Sequence, residues 1–115
     1  MSFEDLLKSL QEEYLSSIPE KVKIITAQIA ALDVSNVRES FHKLKGTGKT
    51  YGIPEVSELG AVVEAICLGH PVNSLPAGTL AVAILRDIHT ARKEGAPYDL
   101  NKDTRLADLQ KLLPK

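Results

Sequence analysis

The chain has 115 residues, of which 14 are basic and 15 acidic, giving a net charge of −1. This length fits one domain, and the charge balance excludes a generally basic nucleic-acid-binding protein. No apolar run approaches the roughly 20 residues that span a bilayer. The single cysteine, Cys67, excludes an internal disulfide and a cysteine-based zinc site. We therefore expect a soluble, cytoplasmic, single-domain protein without nucleic-acid or membrane partners.

Apolar side chains repeat at helical intervals along most of the chain, and strand-like alternation is almost absent. A first helix is predicted to begin after Ser2, whose side chain can cap it. Ser17 followed by Pro19 predicts a restart as a second helix, because proline is tolerated in a first turn. The apolar residues of the two stripes are Phe3, Leu6, Leu7, Leu10 and Tyr14, then Val22, Ile25, Ile29 and Leu32.

The third predicted helix covers residues 34–51 and contains two internal glycines. These glycines leave an alternative open, in which the helix ends at Lys45 and residues 46–48 form a loop. Prolines predict the start of a fourth helix at Pro54 and of a fifth helix at Pro76. The fifth helix is expected to end near residue 94.

Residues 95–97, Gly-Ala-Pro, interrupt the fifth helix, and a short amphipathic segment containing Leu106 and Leu109 follows. Helices joined by short connections pack as antiparallel neighbours, so we predict an all-α bundle. The bundle is assigned to residues 1–98 and an amphipathic extension to residues 99–115. The sequence leaves open whether this extension packs on the bundle. Because no heptad seam indicates a coiled coil, we expect a monomer.

On a helical wheel of the third helix, His42 lies outside the apolar face and is therefore predicted to be exposed. Arg38, Lys45, Gly46 and Lys49 fall around it, at spacings of three, four or seven residues. Three cations beside an imidazole would stabilise an anion, and phosphate is the natural candidate. Gly46 would leave the ring open to a partner. Composition alone nevertheless favours an ordinary solvated helix face.

The segment from Phe41 to Gly52 resembles the signature of histidine-containing phosphotransfer (HPt) domains. That signature is a histidine followed by x-Leu-Lys-Gly, with a further glycine ten positions after the histidine. The matching residues are His42, Leu44, Lys45, Gly46 and Gly52. The resemblance extends over about residues 3–95. It implies an up-and-down four-helix bundle, capped by an additional N-terminal helix. The short C-terminal helix that the amphipathic pattern predicts lies outside the resemblance.

The resemblance also implies that His42 is the phosphoryl acceptor, that Lys45 stabilises the phosphoryl group and that Gly46 gives a partner steric access. Thr47 and Lys49 would flank the site as binding residues, together with the Arg38 noted above. The chain would be a phosphoryl carrier without its own ATP-dependent kinase activity and without a bound cofactor. Its partner would be a response-regulator receiver domain, which brings the Mg²⁺, and a hybrid histidine kinase is a second candidate partner.

Other interpretations stay open at this stage. A helical bundle with this surface could dock a receiver or a kinase without transferring a phosphoryl group. Residues 46–50 are similar to the tail of a P-loop, but Lys43 stands where that pattern needs glycine and no strand precedes it. No metal site is predicted, because His42, His70 and His89 lie on separate elements.

Three further residues receive assignments from their position alone. Cys67 lies between apolar neighbours and is predicted to be a small core side chain. Arg92 is assigned to a solvated helix end. Glu64 falls where the HPt family often has a glutamate, and the sequence leaves open whether it orients a neighbouring helix or is simply solvated.

Overall fold

The computed structural model describes residues 2–114, which form five α-helices and two short 3-10 turns. Helices α1 to α4 form an up-and-down bundle, in which each packs on its neighbour in sequence and α4 closes against α1. The predicted all-α bundle is confirmed. No helix in this part of the chain is both long and apolar enough to cross a membrane. The helices are α1 Phe3–Ala30, α2 Val34–Gly48, α3 Pro54–Gly69, α4 Ser74–Lys93 and α5 Thr104–Lys111, and the turns are Pro71–Asn73 and Leu100–Lys102.

The core lies between the four long helices, each of which contributes one buried stripe. Phe41 of α2 is the largest fully buried side chain and packs among apolar residues of the other helices. Cys67 is also in this core, as predicted, and burial raises the pKa of its thiol. The cysteine is therefore an inert packing residue rather than a reactive group.

Helix α1 is continuous, so the predicted break at Pro19 is wrong and the N-terminal capping helix is not a separate element. The buried residues Tyr14, Ile18, Val22 and Ile25 all lie on one stripe of a single helix. Proline inside a helix removes one backbone hydrogen bond. Burial of a stripe that continues in the same phase on both sides of the proline offsets that loss.

Helix α2 ends at Gly48, so the alternative loop at residues 46–48 is wrong and the helix is slightly shorter than predicted. The chain reverses at Gly52, whose φ of +80° favours glycine. The side-chain amide of Gln11 donates to the carbonyls of Tyr51 and Gly52, at 3.2 Å each. These two bonds fasten the α2–α3 turn to α1.

Helices α2 and α3 approach each other unusually closely at two glycines. A Cβ atom on Gly60 would lie 2.6 Å from the backbone nitrogen of Lys45 and 2.7 Å from the carbonyl of Phe41. A Cβ atom on Gly48 would lie 2.7 Å from the backbone nitrogen of Ser57. Gly48 therefore faces α3, and the two helices form a closely packed hairpin.

The C-terminal extension packs on the bundle. Leu100, Leu106 and Leu109 are buried in the same core as the four long helices. Asp103 is the N-cap residue of helix α5, and its carboxylate accepts the backbone N–H of Arg105. The guanidinium of Arg105 also binds this carboxylate and holds the pKa of Asp103 well below its usual range. A further bond from the guanidinium of Arg105 to Asp87 ties the extension to α4, at 2.6 Å.

A buried ion pair joins the start of α3 to the end of α4. Arg92 donates two hydrogen bonds to the carboxylate of Glu55, at 2.8 and 2.6 Å, and the backbone N–H of Tyr98 donates a third. The side chain of Glu55 is only 5% exposed and that of Arg92 only 19%. The assignment of Arg92 to a solvated helix end is therefore wrong.

Candidate functional site

His42 projects from the outer face of α2, on the side of the bundle where α2 packs on α3. Its side chain is 61% exposed, as the helical wheel predicted. The ring nitrogen Nδ1 contacts Oε2 of Glu64, which lies on α3. The imidazole is therefore held at one edge and open to solvent at the other.

Glu64 is the residue that connects His42 to its surroundings. Its side chain is 12% exposed, and its second oxygen accepts a hydrogen bond from Nζ of Lys45 at 3.1 Å. Burial alone would raise the pKa of Glu64. The hydrogen bonds from Lys45 and His42 outweigh burial, so the pKa of Glu64 lies below its ordinary value. Glu64 is thus an ionised acceptor at neutral pH.

The contact with Glu64 determines which nitrogen of His42 can react. An ionised carboxylate can only accept hydrogen bonds, so Nδ1 of His42 carries a proton in this contact. In the neutral ring the lone pair then lies on Nε2, at the opposite edge of the imidazole. An exposed, oriented imidazole with its lone pair directed away from the bundle is a nucleophile that a partner can reach.

Glu64 is the residue of this candidate site whose role the sequence left undecided. It lies 22 positions after His42, and only the closed α2–α3 hairpin brings the two together. The turn at Gly52 is the sequence feature that could have predicted this contact. Residues at equal distances on either side of such a turn face each other, as Gly48 faces Ser57. Extending this pairing along the helices places Glu64 opposite the turn of α2 that carries His42.

A shallow cleft lies directly beside the imidazole. It is lined by Arg38 and Glu39 of α2 and by Glu64 and Leu68 of α3, with His42 at its edge. Arg38, one turn before His42, lies beside it as predicted and is half-buried there. The surface is therefore less uniformly basic than the wheel suggested, because two carboxylates and one exposed leucine share it.

The remaining predicted site residues have other contacts. The hydroxyl of Thr47 bonds with the hydroxyl of Tyr14 at 2.7 Å and donates to the carbonyl of Lys43, so it faces α1. Lys49 is the C-cap residue of α2, and its backbone N–H donates to the hydroxyl of Ser57. Roles for Thr47 and Lys49 in binding a phosphoryl group stay predictions.

The family model for the Hpt domain matches residues 9–95, which is most of the chain. The chain belongs to the HPt family. No curated protein and no solved structure matches it. Membership supports a general role in histidine phosphotransfer within two-component signalling. The match ends just after α4, so the extension that carries α5 lies outside the region that defines an HPt domain.

Gly46 leaves open space beside the candidate site of this HPt domain. A Cβ atom at position 46 would meet nothing within 4 Å, although the residue lies inside α2. Gly46 therefore has no packing role, which is consistent with the steric access that the HPt resemblance implies. Because residues 46–48 are helical, they do not form the phosphate-binding loop of a P-loop protein. Within residues 2–114, no cluster of side chains could hold a metal ion.

The glycines of the HPt hairpin predict opposite effects on stability. Gly46→Ala is expected to raise the free energy of unfolding by about 0.5–1 kcal/mol, because alanine is the better helix former and meets no neighbour. Gly60→Ala is expected to lower it by about 1–3 kcal/mol, because its Cβ would strike the backbone of α2. Urea unfolding followed by circular dichroism compares the two variants. Equal effects of the two substitutions would contradict the described packing.

Proposed function

We propose that this chain is the phosphoryl carrier of a phosphorelay, accepting a phosphoryl group on Nε2 of His42 from the aspartate of a receiver domain and donating it to another. The observation that carries this proposal is the contact of Nδ1 with the ionised Glu64, because it makes Nε2 the free nucleophile. The exposed position of His42 supports it further, since a carrier must present the same atom to successive partners.

The chemical step is an in-line displacement at phosphorus. The lone pair of Nε2 attacks the aspartyl phosphate, the P–N bond forms, and the P–O bond to the aspartate breaks, returning a carboxylate to the receiver. The ring retains the proton on Nδ1 and so becomes positively charged. The carboxylate of Glu64 lies against that proton and stabilises the charge. The receiver supplies the Mg²⁺ that neutralises the phosphoryl oxygens.

Lys45 and Gly46 act on the phosphoryl group and on the partner, respectively. Lys45 is 48% exposed and contacts Glu64, so its flexible side chain lies close enough to turn toward a phosphoryl group on His42. Gly46 lets the partner's backbone approach the ring. Arg38 borders the cleft beside the ring and can bind phosphoryl oxygens or a carboxylate of the receiver.

The proposal includes three statements about the setting. The chain has no ATP-dependent activity of its own and receives its phosphoryl group from another protein. A receiver domain is the direct partner, and a hybrid histidine kinase is a candidate source of the phosphoryl group. The cytoplasm is the expected location, because the partners of such a carrier act there.

The test is phosphoryl transfer itself, measured by intact-mass spectrometry at neutral pH. The chain is incubated with Mg²⁺ and a small panel of phosphorylated receiver domains. We expect one acid-labile phosphoryl addition, because a phosphoramidate hydrolyses in acid. If receivers bind but no addition forms with any of them, the chain is a docking module rather than a carrier.

Removing Glu64 tests the orientation of the ring separately from acceptance. Glu64→Ala is expected to slow phosphoryl transfer by about 10- to 100-fold, because the imidazole loses its fixed geometry and its charge partner. Nitrogen NMR of the imidazole should show the proton of the neutral ring moving from Nδ1 toward Nε2. Glu64→Gln keeps an acceptor oxygen and should be intermediate in both measurements. An unchanged tautomer in Glu64→Ala would contradict the role assigned to Glu64.

A further inference from the structure

A groove between α1 and α4 lies on the face of the bundle opposite to His42. Its floor is apolar and includes Ile18 and Val22 of α1. Its rim carries Lys23 of α1 with Arg86 and His89 of α4. Among the described residues, no acidic side chain lines this groove. The groove is therefore apolar at the base and cationic at the edge.

The cations of this rim have no acidic partner in the described part of the chain. Lys23 and Arg86 are both exposed, and neither takes part in an ion pair among residues 2–114. By contrast, Arg92 and Arg105, the neighbouring arginines of α4 and α5, are both paired with carboxylates. The positive charge of the rim is thus available to a partner.

The groove continues along the two helices. A second depression shares Thr26 and Arg86 with the first and extends to Ile29 and Val82. From Ile18 to Ile29 the floor follows α1 for about 16 Å, the length of a short peptide segment. The hydroxyls of Thr26 and Thr90 donate to carbonyls of their own helices. The cationic side chains of the rim are therefore the groups available to bind polar atoms of a partner.

We propose that this groove docks an acidic peptide segment of a partner protein, with its apolar side chains on the floor and its carboxylates against Lys23 and Arg86. Charge complementarity identifies the occupant, because unpaired cations around an apolar floor match an amphipathic segment with acidic flanks. Since α1 and α4 form the face opposite to α2 and α3, a partner bound here leaves His42 free. The groove would then hold one protein while another exchanges the phosphoryl group.

The exposed start of α1 is the competing surface for such a partner. Phe3, Leu6, Leu7 and Leu10 are all exposed and lie on one stripe, at helical spacings. Leu10, at the end of this stripe, borders a depression that Lys21 and Lys43 line together with the acidic Glu13. Nothing in the structure shows what covers the stripe. Because Glu13 would repel a carboxylate there, whereas the lining of the α1–α4 groove includes cations and no described acidic residue, an acidic segment is expected in the groove.

The experiment uses a synthetic amphipathic peptide with leucines on one face and glutamates on the other. It is titrated into the isotopically labelled chain, and amide shifts are followed by NMR. We expect shifts confined to α1 and α4 around Lys23 and Arg86. The double variant Lys23→Glu/Arg86→Glu should weaken binding by about tenfold or more. Lys111→Glu, a charge reversal on α5, should leave binding unchanged.

Two control peptides make the result decisive. A peptide with lysines in place of the glutamates should not bind, and one with serines in place of the leucines should bind at least about tenfold more weakly. Shifts centred on residues 3–10 would overturn the proposal in favour of the exposed stripe. Equal binding of the lysine peptide, or equal weakening by Lys111→Glu, would overturn it as well. None of these measurements depends on phosphoryl transfer.

Discussion

Replacing His42 with glutamine is expected to abolish phosphoryl acceptance while leaving the bundle folded. Glutamine is similar in size but cannot form a stable phosphoramidate, so no P–N bond replaces the P–O bond of the donor. Because the side chain of His42 is 61% exposed, its loss should change the free energy of unfolding by less than about 0.5 kcal/mol. Intact-mass spectrometry and urea unfolding measure the two effects on the same preparations.

The other two histidines provide matched controls for this substitution. His70 is the C-cap residue of α3 and His89 lies in the α1–α4 groove, and the side-chain hydrogen bonds of Glu64 go to His42 and Lys45 instead. His70→Gln and His89→Gln should each accept one phosphoryl group, as the unaltered chain does. An acid-labile addition that persists in His42→Gln, or that disappears in one of the controls instead, would show that another histidine is the acceptor.

Replacing Arg92 with alanine is expected to lower the free energy of unfolding by about 3–5 kcal/mol, because it leaves the buried carboxylate of Glu55 without its ionic partner. Such a loss is a large part of the stability of an ordinary domain. Arg86 is an exposed arginine of the same helix and forms no ion pair within residues 2–114. Arg86→Ala should therefore cost less than about 0.5 kcal/mol. Urea unfolding at neutral pH measures the free energy of unfolding of the two variants.

Replacing Glu55 as well as Arg92 separates the cost of leaving a buried charge unpaired from the cost of losing the packing of the arginine side chain. In the double variant Arg92→Ala/Glu55→Gln, the buried charge is absent and the amide oxygen can still accept the N–H of Tyr98. We expect this variant to recover at least part of the stability lost in Arg92→Ala. If the double variant is no more stable than the single one, the ion pair is not the source of the loss.

The same pair gives a direction for the pH dependence. Burial alone would raise the pKa of Glu55, but hydrogen bonds from Arg92 and Tyr98 outweigh burial and lower it from its ordinary value of 4.5. A carboxyl whose pKa is lowered on folding stabilises the native state fully above the unfolded value. That stabilisation is lost as the pH falls below 4.5 and through the folded pKa. The pair therefore contributes to acid unfolding of the chain.

Local patterns predicted most of the helices and the exposure of His42, whereas they did not predict the long-range contacts. The exposure of His42 follows from its phase within α2, and that phase can be counted on the sequence. The position of Glu64 against His42 and of Glu55 against Arg92 depends on contacts across 22 and 37 residues. No local spacing encodes such pairs, and a helical wheel treats each helix alone.

The error at Pro19 has a different origin. Proline is favoured in the first turn of a helix, and Ser17, two residues earlier, strengthened the prediction that a new helix starts there. The tertiary structure overrides this preference because Ile18 is fully buried and its stripe continues into Val22. The stripe predicted for α1 omitted Ile18, which is the residue that joins its two halves. When Ile18 is included, the apolar stripe keeps the same helical spacing from Tyr14 to Val22, as one continuous helix requires.

At Gly46, selection for stability and selection for the proposed phosphoryl transfer favour different residues. Its position in the last turn of α2, with open space where a side chain would be, makes it one of the easiest places to gain stability by mutation. Under the proposed function, the same open space lets a receiver reach the imidazole. A thermostability screen would then enrich alanine at position 46 and select against the proposed phosphoryl transfer without any sign of misfolding. Directed evolution of this bundle has to score phosphoryl transfer alongside melting temperature.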